Sequence, residues 1–485
     1  MDGRSADRML DVRLASTAEF DEMYDARGEP RPPYVSLAAT LTHLERGEVQ
    51  SRVQSINTTL LQRGVTFTVY KEELGTERVL PFDVVPRILT ADEWAHIERG
   101  IAQRVRALNA FLRDIYHEER ILREQRIPRE LVYSCPHFAR EMIGVDVPRD
   151  VYVHIAGVDL IRDERGELFV LEDNVRTPSG ISYVLENRDV LKRGFPILFA
   201  GYAVRPVDDY PARLLQILRH VAPPRRPEPN VVVLTPGIYN SAYFEHAMLA
   251  REMGIELVEG RDLIVADNTV YLKTTRGLSR VDVIYRRVDD DFLDPLYFRA
   301  DSTLGVTGLM NAYRSGNVTV ANAIGTGAAD DKAIYRYVPE MIRFYLDEEP
   351  VLQSVPTYDC TDPKQLRHVL ANLESLVVKN AYASGGYGML MGPSSTAAER
   401  AEFARVLAER PRNFIAQPVI ELSSHPTLID GSLASRRVDL RPFALCGADV
   451  EVPPAALTRV ALREGSLVVN SSQGGGSKDT WVLQG

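Results

Sequence analysis

The chain has 485 residues, and its 57 lysines and arginines stand against 67 aspartates and glutamates, a formal net charge of −10. This length predicts two to four packed units, and the acidic balance disfavours a general polyanion binder, so extended contact with nucleic acid is not expected. The apolar runs are short and the first residues are charged, so we expect neither a membrane helix nor a signal peptide. The three cysteines, Cys135, Cys360 and Cys446, are odd in number and far apart, which favours the reducing cytoplasm.

The first part of the chain is expected to be mainly helical. A charged lead-in ends in a proline-rich stretch, after which apolar residues recur every three or four positions from Trp94 to Ile115. This stripe predicts a long amphipathic helix with Asp92 as its N-cap. Because such a stripe usually packs into a core, we assign no function to it.

A β-hairpin is predicted in the next segment, where the hydrophobic period changes to two. Val151 opens the first alternating run, which continues through Val158–Ile161. Asp163 and Gly166 mark the turn, and Leu168–Leu171 forms the returning strand.

The polar side chains of this hairpin predict a metal site. A two-residue turn places Asp159 opposite Val170 and therefore diagonal to Glu172, at roughly 7–8 Å. Glu172 and Asn174 share a strand face, so two carboxylates and an amide oxygen converge, a ligand set that suits Mg²⁺. On spacing alone, a hairpin that simply exposes polar residues to solvent is equally well supported. Asp173 falls on the other face, where we expect it to be solvated or paired.

An α/β unit follows a proline-rich break. Strands are predicted at Val231–Leu234, Ile255–Val258 and Val281–Tyr285, with a helix over Ser241–Met253 that Gly254 ends. We interpret this unit as a domain that contributes substrate contacts.

Three further residues have two interpretations each. Arg286 and Arg287 end the third predicted strand and could bind a carboxylate; a surface pair matched by Asp289–Asp291 is equally well supported. His154 precedes the hairpin, and a buried histidine with satisfied hydrogen bonds is favoured there over a catalytic one.

Several stretches together resemble ATP-grasp ligases. Gly157–Asp159, Leu171–Asn174 and Pro178–Gly180 resemble the metal-binding end of those enzymes. Segments from the C-terminal third resemble the nucleotide-binding parts, namely the helix-starting Asp331–Lys332, the strand lysine in Val377–Lys379, the glycine-rich flap Ser384–Gly388, the adenine-side hinge Phe414–Ile420, the Asp-x-Arg strand Val438–Arg441, and the later segments Thr458–Arg459 and Asn470–Gly475. Since the metal-binding end here precedes the nucleotide-binding strands, the chain resembles the circularly permuted type 2 ATP-grasp family, related to glutathionylspermidine synthetase-like enzymes.

The resemblance implies a set of site residues and two cofactors, ATP and Mg²⁺. The implied metal ligands are Asp159, Glu172 and Asn174; the implied nucleotide-binding residues are Lys332, Lys379, Ser384, Gly385, Gly386, Gly388, Gln417, Val419 and Arg441; and the implied catalytic residues are Arg441, Arg459 and Asn470. Two departures from the family pattern exist. Asn380 stands where a proline is usual, and Gln417–Pro418 replaces an acidic hinge, with Pro418 lacking a backbone donor.

The implied fold is α/β (α+β), a circularly permuted ATP-grasp fold with an α/β pre-ATP-grasp domain and a helical N-terminal region. The expected divisions are residues 1–135 (helical region), 136–222 (metal-binding part), 228–330 (pre-ATP-grasp substrate domain) and 331–485 (nucleotide-binding domain). Because the protein is acidic overall, the lysines and arginines of the site would have to neutralise the ATP phosphates. The glycines of the flap would let backbone N–H groups approach those phosphates.

The resemblance implies an ATP-dependent carboxylate–amine (or thiol) ligase that forms C–N bonds through an acyl phosphate, acting on an amino acid, peptide or related small molecule. A phosphotransferase using the same ATP site and a catalytically silent ATP-binding subunit are the alternatives. The expected partners are a substrate carboxylate and an amine co-substrate, with no nucleic acid and no membrane, in a cytoplasmic protein for which homo-oligomers stay open.

Overall fold

A computed structural model of the chain describes residues 20–69, 76–224, 227–382, 388–466, 469 and 474–485. The helices in these ranges are α1 Val35–His43, α2 Arg46–Gln62, α3 Ala91–Tyr116, α4 Arg120–Arg123, α5 Arg129–Tyr133, α6 Ile181–Gly194, α7 Tyr210–His220, α8 Tyr243–Met253, α9 Asp290–Leu293, α10 Leu309–Arg314, α11 Gly327–Asp330, α12 Lys332–Tyr335, α13 Val338–Leu346, α14 Pro363–Ala371 and α15 Ala397–Glu409. The strands are β1 Thr66–Val69, β2 Thr76–Val79, β3 Phe82–Leu89, β4 Ile155–Arg162, β5 Leu168–Asn174, β6 Val231–Leu234, β7 Glu256–Val258, β8 Leu263–Ala266, β9 Thr269–Thr274, β10 Gly277–Val281, β11 Val283–Arg286, β12 Thr319–Ala321, β13 Gln353–Ser354, β14 Tyr358–Asp359, β15 Leu376–Asn380, β16 Leu390–Met391, β17 Phe414–Pro418, β18 Ser424–Ile429, β19 Ser432–Cys446, β20 Val450–Glu451, β21 Ala456–Val460 and β22 Gly476–Val482.

The largest sheet joins segments from all parts of the chain. Its order is β13-β5-β4-β19-β21-β22-β3, and β18 and β20 pair with β19, which makes nine strands among the described residues. The hairpin strand β4 pairs antiparallel with β19, nearly three hundred positions later, and β3 closes the far edge by pairing parallel with β22. The early hairpin strands, on which the predicted metal ligands stand, and the late strands therefore lie in one sheet.

Two smaller four-stranded sheets contain the other strands that bear on the site. A parallel sheet of order β12-β11-β6-β7 contains the strands predicted for the α/β unit, with its third strand beginning at Val283. Helix α8 ends at Gly254, which adopts the left-handed conformation (φ +67). A separate antiparallel sheet of order β14-β17-β15-β16 contains β15 and β17, two strands of the predicted nucleotide-binding part. The predicted domain boundaries stay a prediction.

The hairpin register differs from the predicted one. A three-residue turn that ends in Gly166 (φ +84) replaces the two-residue turn, and the pairing shifts again between Asp159 and Leu160. As a result Leu160 pairs with Val170, and Asp159 lies directly opposite Glu172 rather than opposite Val170. The predicted pairing was wrong, yet the two carboxylates share a face.

The long apolar stripe forms the buried side of α3. Its residues from Trp94 to Ile115 are fully buried and pack in the main hydrophobic core. The predicted N-cap was wrong by two residues, because Thr90 and Glu93 form the capping box: the Thr90 hydroxyl accepts from Glu93 N (3.2 Å), and the Glu93 carboxylate accepts from Thr90 N (2.9 Å). Asp92 lies inside the first turn, where a negative charge is also favourable.

None of the helices in the described part of the chain combines the length and apolar character that crossing a bilayer requires. The three cysteines are buried and form no disulfide.

Candidate functional site

Asp159 is the anchor of two arginines. It is 1% exposed on β4, and its carboxylate accepts bonds from both Arg441 (Nη2, 2.8 Å) and Arg459 (Nη2, 2.7 Å). Arg459 also pairs with the buried Asp439 beside it on β19. Burial alone would raise the pKa of Asp159, but the two guanidinium groups outweigh it and hold that pKa well below its usual range. The structure thus places the predicted residues Asp159, Arg441 and Arg459 in one charged cluster.

Glu172 joins the hairpin to the nucleotide half of the chain. Its Oε2 lies 3.3 Å from Nζ of Lys332, which begins α12, and the two side chains are 24% and 17% exposed. Burial opposes the charge on Lys332, yet the carboxylates of Glu172 and Asp330 raise its pKa. Asn174 donates from Nδ2 to the carbonyl oxygen of Gly157 (3.2 Å), which leaves its Oδ1 as the side-chain acceptor. The two residue sets that the resemblance joins, 160 positions apart, are therefore in direct contact.

Lys379 reaches the same site from β15. Its Nζ donates to Oε1 of Gln417 on the neighbouring strand β17 (2.8 Å), and Gln417 in turn donates from Nε2 to Thr357 (2.9 Å). Burial is the largest cause that lowers the pKa of Lys379; together with the nearby Lys332 it outweighs the carboxylates of Glu172 and Asp159 and brings that pKa to about 8. A half-buried lysine whose hydrogen-bonded partner is an uncharged amide is well suited to receive an anion.

The state of Lys379 predicts a proton linkage. A bound phosphate favours the charged ammonium, so nucleotide binding is expected to raise the pKa of Lys379 and to take up protons at and above about pH 8, where part of the free protein has lost that proton. The affinity for Mg²⁺–ATP should accordingly fall as the pH rises through about 8. Calorimetric titrations in two buffers with different ionisation enthalpies measure the uptake. Lys379→Met should abolish it, and its absence in the unaltered protein would contradict this assignment.

The other predicted nucleotide-binding residues fall into two groups, those that the structure describes and those that lie outside the described residues. Gln417 is 3% exposed, and its amide is already engaged by Lys379 and Thr357, so it fixes the lysine. Val419 is half-buried directly after β17, and Gly388 has φ +68 with open space where a side chain would start. The predicted residues Ser384, Gly385, Gly386 and Asn470 lie outside the described residues.

The Pro178–Gly180 segment connects this cluster to the parallel sheet. The carbonyl oxygen of Ser179 accepts from Arg441 (3.3 Å), and that of Pro178 accepts from Arg287 (2.7 Å). Glu245 on α8 accepts from the N–H groups of Gly180 (2.7 Å) and Ser182 (3.1 Å), so it caps the start of α6.

The interpretations of Arg286, Arg287 and His154 need correction. Both arginines are buried: Arg286 donates to backbone carbonyls and pairs with Asp290 (2.8 Å), and Arg287 pairs with Glu245 (3.2 Å), so neither forms a surface pair nor an open carboxylate site. His154 is buried as expected. Its ring nitrogens, however, have no hydrogen-bond partner within the described ranges, so the expectation of satisfied hydrogen bonds was wrong.

Sequence reasoning missed three groups at the site. Arg176, Glu245 and Thr357 each contact a predicted residue or its neighbour. Arg176 carried a signal, since it stands two positions after Asn174, whereas Glu245 and Thr357 carried none because their partners are distant in sequence.

The donor chemistry suits a nucleotide with a hard divalent cation. The four predicted lysines and arginines outnumber the three carboxylates they lie beside, those of Asp159, Glu172 and Asp439, and this excess of positive charge suits a polyphosphate. Within the described residues no group of three or more His, Cys, Asp or Glu side chains could hold a metal alone. The oxygens of Glu172 and Asn174 fit Mg²⁺, which usually takes one or two carboxylates and completes its shell with water and phosphate oxygens. Asp159 already accepts three bonds from arginines, so its metal role stays a prediction.

Comparisons with known proteins show the family and the fold of the chain. Residues 86–461 match the family described as "Circularly permuted ATP-grasp type 2". An uncharacterized protein of Synechocystis sp. is 55% identical over 467 residues (96% of this chain and 97% of that protein), and an uncharacterized protein of Mycobacterium tuberculosis is 54% identical over 465 residues (96% and 84%). A Frankia alni protein named "Putative glutamate–cysteine ligase 2-3" is 44% identical over 468 residues, which are 96% of this chain and 54% of that protein. A solved structure, a glutathione synthetase-like effector from Globodera pallida in its apo form, aligns with a TM-score of 0.60 at 10% identity, over 91% of this chain and 98% of that one, which shows the fold alone.

Proposed function

Because the chain belongs to the circularly permuted type 2 ATP-grasp family, we propose that it is an ATP-dependent carboxylate–amine (or thiol) ligase acting through an acyl phosphate. The predicted family and fold class are confirmed, and ATP-grasp enzymes in general use ATP and divalent metal ions. The observation that carries the proposal is the 3.3 Å contact between Glu172 and Lys332, since it brings the metal-side hairpin and the nucleotide half into one site.

In this proposal each charged group has a separate task. Lys332 and Lys379 bind the ATP phosphates, and Glu172 with Asn174 holds Mg²⁺, which would neutralise phosphate charge when bound. Arg441 acts on the charge that develops as the γ-phosphoryl group moves to a substrate carboxylate. An amine then attacks the acyl phosphate, and phosphate leaves. The protein's contribution is positioning and electrostatic stabilisation, so no side-chain nucleophile is required.

Arg459 and Asp439 hold the carboxylate of Asp159, and through it the guanidinium of Arg441, in position. Arg459 is 6% exposed and bridges Asp159 and Asp439, so it fixes the carboxylate that in turn orients Arg441. The carbonyl oxygen of Ser179, in the Pro178–Gly180 segment, accepts a hydrogen bond from Arg441 and therefore restrains the same guanidinium from a second side.

The named relatives support ligase chemistry without assigning the substrate. The chain spans about half of the Frankia alni protein, so the activity in that protein's name belongs to a chain nearly twice as long. An amino acid, a peptide or a related small molecule as substrate, Mg²⁺ as the metal and a cytoplasmic location are parts of our proposal.

Trapping with hydroxylamine tests the reaction class. The purified protein is incubated with Mg²⁺–ATP, hydroxylamine and a panel of amino acids, dipeptides and small carboxylic acids. We expect one or more acids to yield a hydroxamate in equal amount to ADP, because hydroxylamine intercepts an acyl phosphate. ADP formation with a phosphorylated product and no hydroxamate would identify a phosphotransferase, and ATP binding without ADP formation would identify a silent subunit.

A further inference from the structure

Arg176 stands at the metal end of the site without a role in the proposed reaction. It follows β5, the strand of Glu172 and Asn174, and its Nε donates to Asp330 Oδ2 (3.0 Å) while Asp330 Oδ1 accepts from the N–H of Val175 (2.7 Å). These two bonds hold the guanidinium of Arg176 on Asp330, which precedes Lys332, the lysine that contacts Glu172, by two positions. Arg176 is therefore placed beside the reaction site by the backbone as well as by its own side chain.

His137 and Arg176 form a packed wall over Gly327. A Cβ atom at Gly327 would lie 2.6 Å from His137 Cβ and 2.9 Å from Arg176 Cδ, so only glycine lets both side chains approach. Nη1 of Arg176 lies 3.5 Å from Nε2 of His137, and the imidazole ring meets the edge of Tyr382 at 6.4 Å between centroids. In the sequence, Tyr382 stands two positions before Ser384, the first residue of the predicted flap.

Asp289 and Arg176 form a long ion pair beside His137. Asp289 is half exposed (54% of its side chain), and its Oδ1 lies 3.8 Å from Nη1 of Arg176, which is 16% exposed. The distance is longer than that of a charge-assisted hydrogen bond, in contrast to the tight bond between Arg176 and Asp330. A ligand with one negative and one positive group could pair with both side chains at once.

We propose that Arg176, His137 and Asp289 form a subsite for the head group of an α-amino acid, with the α-carboxylate on Arg176, the α-ammonium group on Asp289, and His137 positioning the guanidinium by accepting from its Nη1. This inference rests on the proposed ligase function and deepens it by naming the substrate class. A planar guanidinium binds a carboxylate through two parallel bonds, and the aspartate rejects substrates that lack the ammonium group.

Calorimetric binding of the proteinogenic L-amino acids, with Mg²⁺ and a non-hydrolysable ATP analogue present, tests the subsite. We expect at least one amino acid to bind, and we expect Arg176→Gln to weaken its binding by about 30-fold or more, the effect of truncating one partner of a buried charge pair. Asp289→Asn should weaken binding about tenfold or more. The N-acetyl derivative of that amino acid should bind the unaltered protein as weakly as the amino acid itself binds Asp289→Asn. The methyl ester of the amino acid should bind the unaltered protein as weakly as the amino acid itself binds Arg176→Gln.

Arg280→Gln is the matched control, because Arg280 is also a half-buried arginine bonded to an aspartate (Asp282, 2.9 Å) and lies on β10 outside the site. It should bind the amino acid unchanged. If Arg176→Gln fails to fold, Asp289→Asn and the two derivatives still decide the outcome, since Asp289 is exposed. Equal binding by the unaltered protein and the variants, or no binding of any amino acid, would overturn the subsite.

The two proposals fail in different ways. Hydroxamate formed only from acids without an amino group leaves the ligase proposal intact and refutes the subsite. Amino-acid binding that Arg176→Gln abolishes, together with no hydroxamate from any acid, supports the subsite and refutes the ligase proposal.

Discussion

Replacing Glu172 with glutamine is expected to lower ADP release by about 10³-fold or more while leaving the fold intact. Glutamine has nearly the same shape but removes the negative charge that contacts Lys332 and that would hold the cation. Loss of metal-based charge stabilisation costs several kcal/mol of the activation free energy, which corresponds to this factor. Because the Glu172–Lys332 pair is partly exposed, its removal should change the unfolding free energy by only about 0–1 kcal/mol. Steady-state ADP release across a Mg²⁺ titration and urea unfolding measure the two effects.

Glu167→Gln is the matched control for this experiment. Glu167 lies at the exposed end of the same hairpin, in the turn that leads into β5, and contacts neither lysine of the site. It should release ADP at the rate of the unaltered protein. Full turnover by Glu172→Gln would show that the hairpin does not hold the metal, and a large loss of stability in that variant would show that the pair with Lys332 is structural.

The shared face of Asp159 and Glu172 could be predicted, although their pairing could not. Strand alternation is local, so the face of each side chain follows from the sequence pattern. The exact turn length and the irregularity beside Asp159 each shift the register by one residue, and the alternation of apolar and polar residues does not encode either of them. Together they move the partner of Asp159 from Val170 to Glu172, a shift of two positions, and a shift of two preserves the face.

Contacts between distant segments are what the sequence left unpredicted. Asp330 binds Arg176 from 154 positions away, and no local pattern announces that contact. The same holds for Glu245, whose carboxylate caps α6 from another helix. Family resemblance supplied the long-range part of the site, namely that Lys332 and Glu172 belong together. It offered nothing for Arg287, for which the sequence left a carboxylate contact and a surface pair equally open; in the structure its guanidinium is buried and bound by Glu245 and a backbone carbonyl.

Asp173, the immediate neighbour of Glu172, is expected to matter for stability instead of turnover. It points to the opposite face, as predicted, and it is paired instead of solvated: its carboxylate accepts from Nε (3.0 Å) and Nη2 of Arg104 on α3, and both side chains are almost completely buried. Asp173→Ala leaves the guanidinium of Arg104 buried, with the Ser354 hydroxyl (2.9 Å) as its other hydrogen-bond partner in the described residues. An uncompensated buried charge typically costs about 3–5 kcal/mol.

Urea unfolding should therefore show a markedly lower midpoint for Asp173→Ala. Below that midpoint, ADP release per folded molecule should stay close to that of the unaltered protein, because Asp173 faces away from the lysines. The double variant Arg104→Met/Asp173→Leu should recover most of the lost stability, since replacing both members of a buried pair with apolar residues avoids the unpaired charge. A single variant that unfolds at the unaltered midpoint would mean that water reaches Arg104, and that α3 is not fastened to the hairpin by this pair.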